Sequence, residues 1–281
     1  MFLFVVNLKK KVALSLITVL ITGLGVAMPV AARTVVIEDG LIGYWSFDKD
    51  TVKGKTVEDI WGNQDAEIIG DLQIVPGKFG EAVQLGGGAG ARVQMTDDIK
   101  KAELPTEEMT VELWAWDEQF IEWGGYVVAV QDNGAFEKGW LLGTRWKAFS
   151  FALSSEDADD GDGLLTYLNA ANASEMNEWY HVVGTYDSKE MKIYVNGKLE
   201  GTSGVQSGPI NYPDRIFFSI GAYKDDNEDF VHKGMLDEVR IYDRALSEKE
   251  VLNNMEAEGL AVEPAGKLSL TWGQLKTTAS R

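Results

Sequence analysis

The sequence contains no cysteine, and that absence removes three possibilities at once. The fold gains nothing from disulfides, there is no thiol nucleophile, and no cysteine-based zinc site can form. Histidine is nearly absent as well. His181 and His232 are the only two, too few for a dedicated zinc site, which takes three or four protein ligands, often His or Cys. Neither has an evident serine partner for nucleophilic catalysis. Basic residues are scarce, 26 Lys and Arg against 44 Asp and Glu, for a net charge of −18. Such a balance excludes nucleic acid and anionic membrane surfaces as partners, since both recruit Lys and Arg. It suits solubility and is compatible with calcium.

Long apolar runs are missing too, apart from one at the N-terminus. The apolar residues 1–8 lead into Lys9, Lys10 and Lys11, followed by an uncharged apolar stretch over 12–28 and the small residues around Ala31 and Ala32. A basic cluster, an apolar segment and small residues at a cleavage point make a secretory signal peptide. Its apolar stretch, about 15–17 residues, falls short of the roughly 20 that a membrane span requires. Residues 1–32 are therefore expected to be a signal peptide cleaved after Ala32, with residues 33–259 as one domain and 260–281 as a tail or edge segment. Loss of the three signal lysines leaves 23 basic against 44 acidic residues, or −21. The expectation is an exported protein, periplasmic, cell-surface or secreted, with no membrane contact once the signal is gone.

What is present reads as short strands punctuated by Gly, Asn and Asp. With 45% hydrophobic residues and nine Trp there is material for a core. Residues 110–116, 125–130, 140–145, 147–153, 164–168, 216–223 and 235–242 are predicted strands rich in β-formers. Residues 83–85 and 91–95 flank a turn at Gly86-Gly87-Gly88. Residues 179–186, 191–195 and 198–202 form the strongest hairpin series, because Asn196-Gly197 suits the two positive-φ positions of a type I′ turn. Strands at this spacing predict an all-β sandwich or barrel. One helix is predicted: Ser247 with Glu250 three residues on is a capping-box pattern. Val251, Leu252 and Met255 give it an apolar stripe, and Gly259 ends it. In the tail, Leu268, Leu270, Trp272 and Leu275 leave open a final strand, a docking segment or a disordered end.

The order of motifs then becomes informative. Gly40-Leu41-Ile42-Gly43-Tyr44-Trp45-Ser46-Phe47-Asp48, the turn Asp59-x-x-Gly62-Asn63, Gly77-Lys78-Phe79-Gly80-Glu81-Ala82-Val83 and Met109-Thr110-Val111-Glu112-Leu113-Trp114 come first. Trp179 to Asp187, Ile193 to Gly197, Gly234 to Tyr242 and Arg244-Ala245-Leu246-Ser247 complete the series. Each is weak alone. Together, in this order across residues 40–256, they resemble the laminin-G-like jelly-roll domains of the concanavalin-A-like lectin/glucanase group. The resemblance implies a two-sheet antiparallel jelly-roll sandwich with loops at the rim. Members bind sugars or proteins, and some ride on enzymes, so fold alone does not assign a function.

The glucanases of that group carry catalytic acids on one strand as Glu-x-Asp-x-x-Glu, a spacing that presents the acids on one face. No strand here has the pattern; the nearest, residues 111–116, offers Glu112 with Trp114 and Trp116. An enzyme is therefore not expected. The resemblance does imply a structural calcium, with Asp237 in Leu236-Asp237-Glu238-Val239-Arg240 matching the family's ligand and Asp48 as a neighbour. The loop with Asp225, Asp226, Glu228 and Asp229 falls at the rim, where family members carry ligands. A second acidic loop, Glu156, Asp157, Asp159, Asp160 and Asp162, fails the EF-hand spacing and reads as solvated surface. Trp116 and Trp123 are candidate platforms for sugar stacking. The expected function is a non-catalytic recognition module for a glycan or an extracellular protein, stabilised by calcium. The alternatives are a surface-assembly protein docking through its tail and, least favoured, a glycoside hydrolase.

Overall fold

A computed structural model describes residues 34–158, 163–257 and 259–260. The expected signal peptide, Asp159, Asp160 and Asp162 of the second acidic loop, and the tail beyond Leu260 lie outside the described residues. The chain forms two large antiparallel sheets and one helix, the jelly-roll sandwich that the motif order implied.

The eight-stranded sheet runs Lys198–Ser203, Met191–Val195, Trp179–Tyr186, Met109–Gln119, Lys233–Tyr242, Glu81–Gly86 and Leu72–Pro76. The first strand, Leu41–Trp45, pairs with the second half of Lys233–Tyr242, while Glu81–Gly86 pairs with the first half. The nine-stranded sheet runs Thr166–Asn169, Ala148–Leu153, Glu137–Arg145, Trp123–Asp132, Arg215–Ile220, Arg92–Asp98, Ala66–Ile69, Thr56–Val57 and Val52–Lys53. The Asn196-Gly197 turn has φ +48° and +75°, as a type I′ hairpin demands. The triple-glycine turn does not close a hairpin. Glu81–Gly86 belongs to one sheet and Arg92–Asp98 to the other, so this link crosses between them.

Side chains alternate across a strand, and the sandwich interior takes one set from each sheet. Val111, Leu113 and Ala115 from one sheet join Val127, Ala129, Trp140, Phe149, Phe151 and Phe218 from the other in the main core. The outer faces are not left to water. Over the eight-stranded sheet, Val36, Leu41, Leu246 and Val251 cover Tyr44, Val183 and Tyr242. Over the nine-stranded sheet, Leu165 and Tyr223 cover Val128, Val130, Leu141 and Ala152. This double burial explains why residues 125–130 are continuously apolar rather than alternating.

The helix spans Glu248–Glu256, with Ser247 and Glu250 forming the expected capping box. Its buried face corrects the apolar stripe. Val251 and Asn254 are buried, whereas Leu252 is 41% exposed. Asn254 Nδ2 donates to Glu112 Oε1 (2.9 Å) and to the Tyr242 hydroxyl (2.8 Å), and its Oδ1 accepts from the Ile37 amide (2.9 Å). The helix is thus anchored by hydrogen bonds to the sheet, and Leu252 instead lies against Gly197 of the hairpin.

Candidate functional site

Two acidic constellations and one aromatic cleft carry the chemistry. The first constellation stands on the loop over 77–81. Asp237 Oδ2 accepts from the amides of Lys78 (2.9 Å) and Phe79 (3.0 Å), and Asp48 Oδ1 accepts from the amide of Glu81 (3.1 Å). Glycine is required where this loop meets the acids. A Cβ on Gly77 would lie 2.6 Å from Asp237 Oδ2, and one on Gly80 would lie 2.0 Å from Asp48 Oδ1. The sequence named Asp48 and Asp237 together as the candidate calcium pair; each accepts backbone amides of this one loop.

Asp237 is fully buried, and its Oδ1 accepts no hydrogen bond. Burial pushes its pKa up to about 8, and the charges of Glu238 and Asp48 push in the same direction against the two amides. A buried carboxylate with one bare oxygen and a second acid at hand fits a hard cation, which would remove the penalty of burying charge. Asp237 and Asp48, with backbone oxygens, are the residues that can hold calcium here; bound, it would supply charge neutralisation that ties the opening strand to the closing one.

Glu238 is not part of that donor set. It adopts φ +56° at a register shift in its strand and pairs with Arg240 and the Tyr44 hydroxyl. Arg240 Nη1 reaches Glu112 Oε1 at 3.0 Å, and His181 Nε2 lies 3.5 Å from Glu112 Oε2. Burial acts to raise the Glu112 pKa, but contact with His181 and the Arg240 charge more than offset it, and the carboxyl is held below its ordinary value. Glu112 is therefore held as a buried anion beneath the helix. Both histidines are buried. Burial depresses the His232 pKa to about 3, and its Nδ1 lies 3.6 Å from Asp117 Oδ1.

The cleft lies over the nine-stranded sheet. It encloses about 520 Å³ and is lined by Trp123, Arg145 and Tyr167 on one side and by Asp132, Glu137 and Glu228 on another, with Leu141, Leu165 and Tyr223 among its other walls. Arg145 organises the aromatic side. Its guanidinium carbon sits 4.7 Å from the Trp123 ring centre, 4.7 Å from Tyr167 and 4.9 Å from Trp146, within cation–π range of all three. Trp123 and Tyr167 meet edge to face, 5.6 Å apart. Trp146 stands at the rim, 55% exposed. Burial raises the Tyr167 and Tyr223 pKa values, so both hydroxyls stay protonated donors.

The acidic side is built by strand pairing and a turn. Asp132 ends its strand directly opposite Glu137. Asp225 and Glu228 belong to the turn joining Ala222–Lys224 to Asp229–Val231, a two-stranded ribbon laid over the sheet. Burial first, then the charges of Asp132 and Asp225, raise the Glu137 pKa. Burial first, then Asp225 and Asp132, raise that of Glu228.

The structure separates the other sequence candidates. Trp123 lines the cleft, but Trp116 does not. It shares a strand face with Trp114 and Glu112, opposite the core-facing Val111, Leu113 and Ala115 of the same strand, so the two Trp candidates belong to opposite outer faces. Within the rim loop, Asp225 and Glu228 point to the acidic cluster. Asp226 is instead engaged by Arg215 (2.6 Å) and Gln131 (3.0 Å), and Asp229 lies in the ribbon strand. Asp132, Glu137, Arg145 and Tyr167 were missed. Their only signal was the unbroken apolar run over 125–130, which implied that something packs on the outer face.

Two antiparallel sheets packed face to face, with one short helix, define a concanavalin-A-like jelly-roll sandwich. The chain belongs to the family described as the concanavalin A-like lectin/glucanases superfamily, in its laminin-G branch, matched over residues 86–252. It is 23% identical over 209 residues to pappalysin-1 of Mus musculus; the match covers 69% of this chain but 12% of pappalysin-1. Among solved structures it resembles domain 4 of AbnA, an extracellular arabinanase of Geobacillus stearothermophilus in complex with arabinotriose (TM-score 0.58, 19% identity, 78% of this chain and all of that one). It also resembles a structure of botulinum neurotoxin type C, whose cell entry depends on two ganglioside molecules (TM-score 0.52, 20% identity, 77% and 50% coverage). Among the described residues no helix is long and apolar enough to cross a membrane.

Proposed function

We propose that the protein is an exported, non-catalytic recognition module that binds a glycan in the cleft over the nine-stranded sheet, with calcium at Asp237 and Asp48 as a structural support. The observation that carries this reading is one open cleft lined both by the Trp123–Arg145–Tyr167 cluster and by Asp132, Glu137 and Glu228. Sugars combine apolar C–H faces with hydroxyls. Aromatic rings receive the first, and carboxylates, guanidinium and tyrosine hydroxyls receive the second. The arabinotriose-bound relative and the ganglioside-dependent relative support a glycan over a protein ligand.

The test is a screen of the purified protein against a glycan array, followed by titration calorimetry on the best hit. Trp123→Ala and Tyr167→Ala are expected to weaken binding at least roughly tenfold, the size of an aromatic contact contribution, while circular dichroism stays unchanged. Binding indifferent to both substitutions, or no glycan bound at all, would overturn the reading.

A hydrolase is the second reading, favoured by the raised pKa values of Glu137 and Glu228 in an aromatic cleft. Against it, none of the strands carries the Glu-x-Asp-x-x-Glu acid pattern of the group's glucanases, and Glu228 itself crowds with Asp132 and Asp225 within 4.8 Å, tighter than the roughly 5–9.5 Å of glycosidase carboxyl pairs. Release of reducing ends from a bound oligosaccharide, lost in Glu137→Gln, would favour the hydrolase.

A further inference from the structure

The acids of the cleft are arranged for a task that sugar hydroxyls alone do not explain. Asp132, Asp225 and Glu228 each bring a carboxylate oxygen to within 4.8 Å of the other two. Three like charges at that spacing repel one another strongly unless something positive lies between them. Among the described residues, no lysine or arginine forms an ion pair with any of the three. Arg215 is committed to Asp226, Arg145 is held over the aromatic rings, and Lys224 Nζ donates to the backbone carbonyl of Glu228 rather than to its carboxylate.

Asp225 supplies the second observation. Its side chain is fully buried. Oδ1 accepts from the amides of Asn227 (2.8 Å) and Glu228 (2.6 Å) and so fixes the turn. Oδ2 is equally buried and has no hydrogen-bond partner. Asp132 Oδ1 is likewise used, accepting from the Gly134 amide at 2.8 Å, which leaves its other oxygen for the cluster. Three carboxylates, each with an oxygen to give and with no nitrogen or sulfur donor among them, select a hard cation. Calcium tolerates irregular geometry and takes 6–8 oxygens, so water and neighbouring carbonyls can complete its shell.

We propose that Asp132, Asp225 and Glu228 form a second divalent-cation site of the calcium class, set in the wall of the cleft and separate from the Asp48–Asp237 site. Asp132 and Glu228 line the cleft itself, so the cation presents its remaining coordination positions to whatever occupies it. Vicinal hydroxyls of a sugar suit those positions; this last point rests on the glycan reading.

The experiment is a calcium titration by calorimetry on the purified, chelator-treated protein, with no glycan present. A parallel Tb³⁺ titration is read as luminescence excited through the tyrosines and tryptophans, of which Tyr223, Tyr167 and Trp123 line the same cleft. Glu228→Gln and Asp132→Asn change side chains that are only partly buried, so the fold tolerates them. Each is expected to lower the calcium stoichiometry by one, or to weaken that class of site by roughly tenfold or more, and to lose most of the Tb³⁺ signal. In Asp237→Asn the Tb³⁺ signal of the cleft persists. Wild-type stoichiometry and affinity in both Glu228→Gln and Asp132→Asn would overturn the proposal, as would the absence of any calcium uptake by the wild type. Because no sugar is added, a failure here is distinct from a failure of the glycan reading.

Discussion

At Gly80 the backbone takes φ +54° and a Cβ would strike Asp48 Oδ1 at 2.0 Å, whereas at Gly54 φ is +66° with open space around it. Gly54→Ala is therefore expected to cost about 1 kcal/mol from backbone strain alone. Gly80→Ala is expected to cost roughly 2–4 kcal/mol, because it also displaces Asp48. Urea unfolding of the two variants checks the difference. Asp117 offers a test by pH. Its carboxyl is buried and accepts from the Tyr126 hydroxyl at 2.7 Å, and burial raises its pKa to about 7 from about 4 in an unfolded chain. The folded state therefore holds the proton more tightly. This contribution is fully present below about pH 4 and is lost as pH rises through 7. His232, depressed to about 3, contributes in the opposite sense up to about pH 6.5, so the readout is the difference between wild type and Asp117→Asn. The part of thermal stability that Asp117 supplies, a few kcal/mol at most, is expected to disappear as pH rises from about 4 to 7. Little of this was legible beforehand. Asp237 and Asp48 were found because a family motif marks them, but Asp117 carries no local sign of burial. Its partner Tyr126 sits nine residues on, across a change of sheet.

The elements were legible wherever their signals were local. Asn196-Gly197 made its turn, and Ser247 with Glu250 made its capping box, because both depend on residues within one turn of chain. The helix face was misassigned for the opposite reason. Counting apolar residues chose Leu252, but what fixes the helix is Asn254, whose partner Glu112 is 142 residues away. Asn254→Ala is accordingly expected to cost about 2–4 kcal/mol, since it leaves the Ile37 amide without its acceptor and removes one donor each from the buried Glu112 and Tyr242. Leu252→Ala, at an exposed position, should cost under about 1 kcal/mol. Thermal denaturation of the two variants measures the order directly. The cleft escaped notice on the same principle. Trp123, Arg145, Tyr167 and Glu228 come from different strands and one turn, and no spacing in the sequence joins them.

For the whole molecule the governing quantity is charge. With 44 acidic against 26 basic residues, the folded state carries net self-repulsion that salt screens. Raising NaCl from about 20 to 300 mM is expected to increase the melting temperature by a few degrees. Calcium at micromolar to millimolar levels should do so through specific binding, with a dependence on Asp237 that NaCl lacks. Melting scans in the two salts separate the effects. The sandwich class itself was readable from strand density and motif order, since every jelly-roll must bury two inner faces. That both outer faces are also covered was not, because the covering segments are short and belong to no repeating pattern.

The strand Lys233–Tyr242 lies at the middle of its sheet, bonded to Met109–Gln119 on one edge and to both Glu81–Gly86 and Leu41–Trp45 on the other. A ribosome makes the chain from its N-terminus, so this keystone arrives late. Until residue 242 has been synthesised, the opening strand and Glu81–Gly86 have no partner in common to zip onto, and the eight-stranded sheet stays incomplete. That delay is useful to any polypeptide that must thread a narrow translocation pore before it folds.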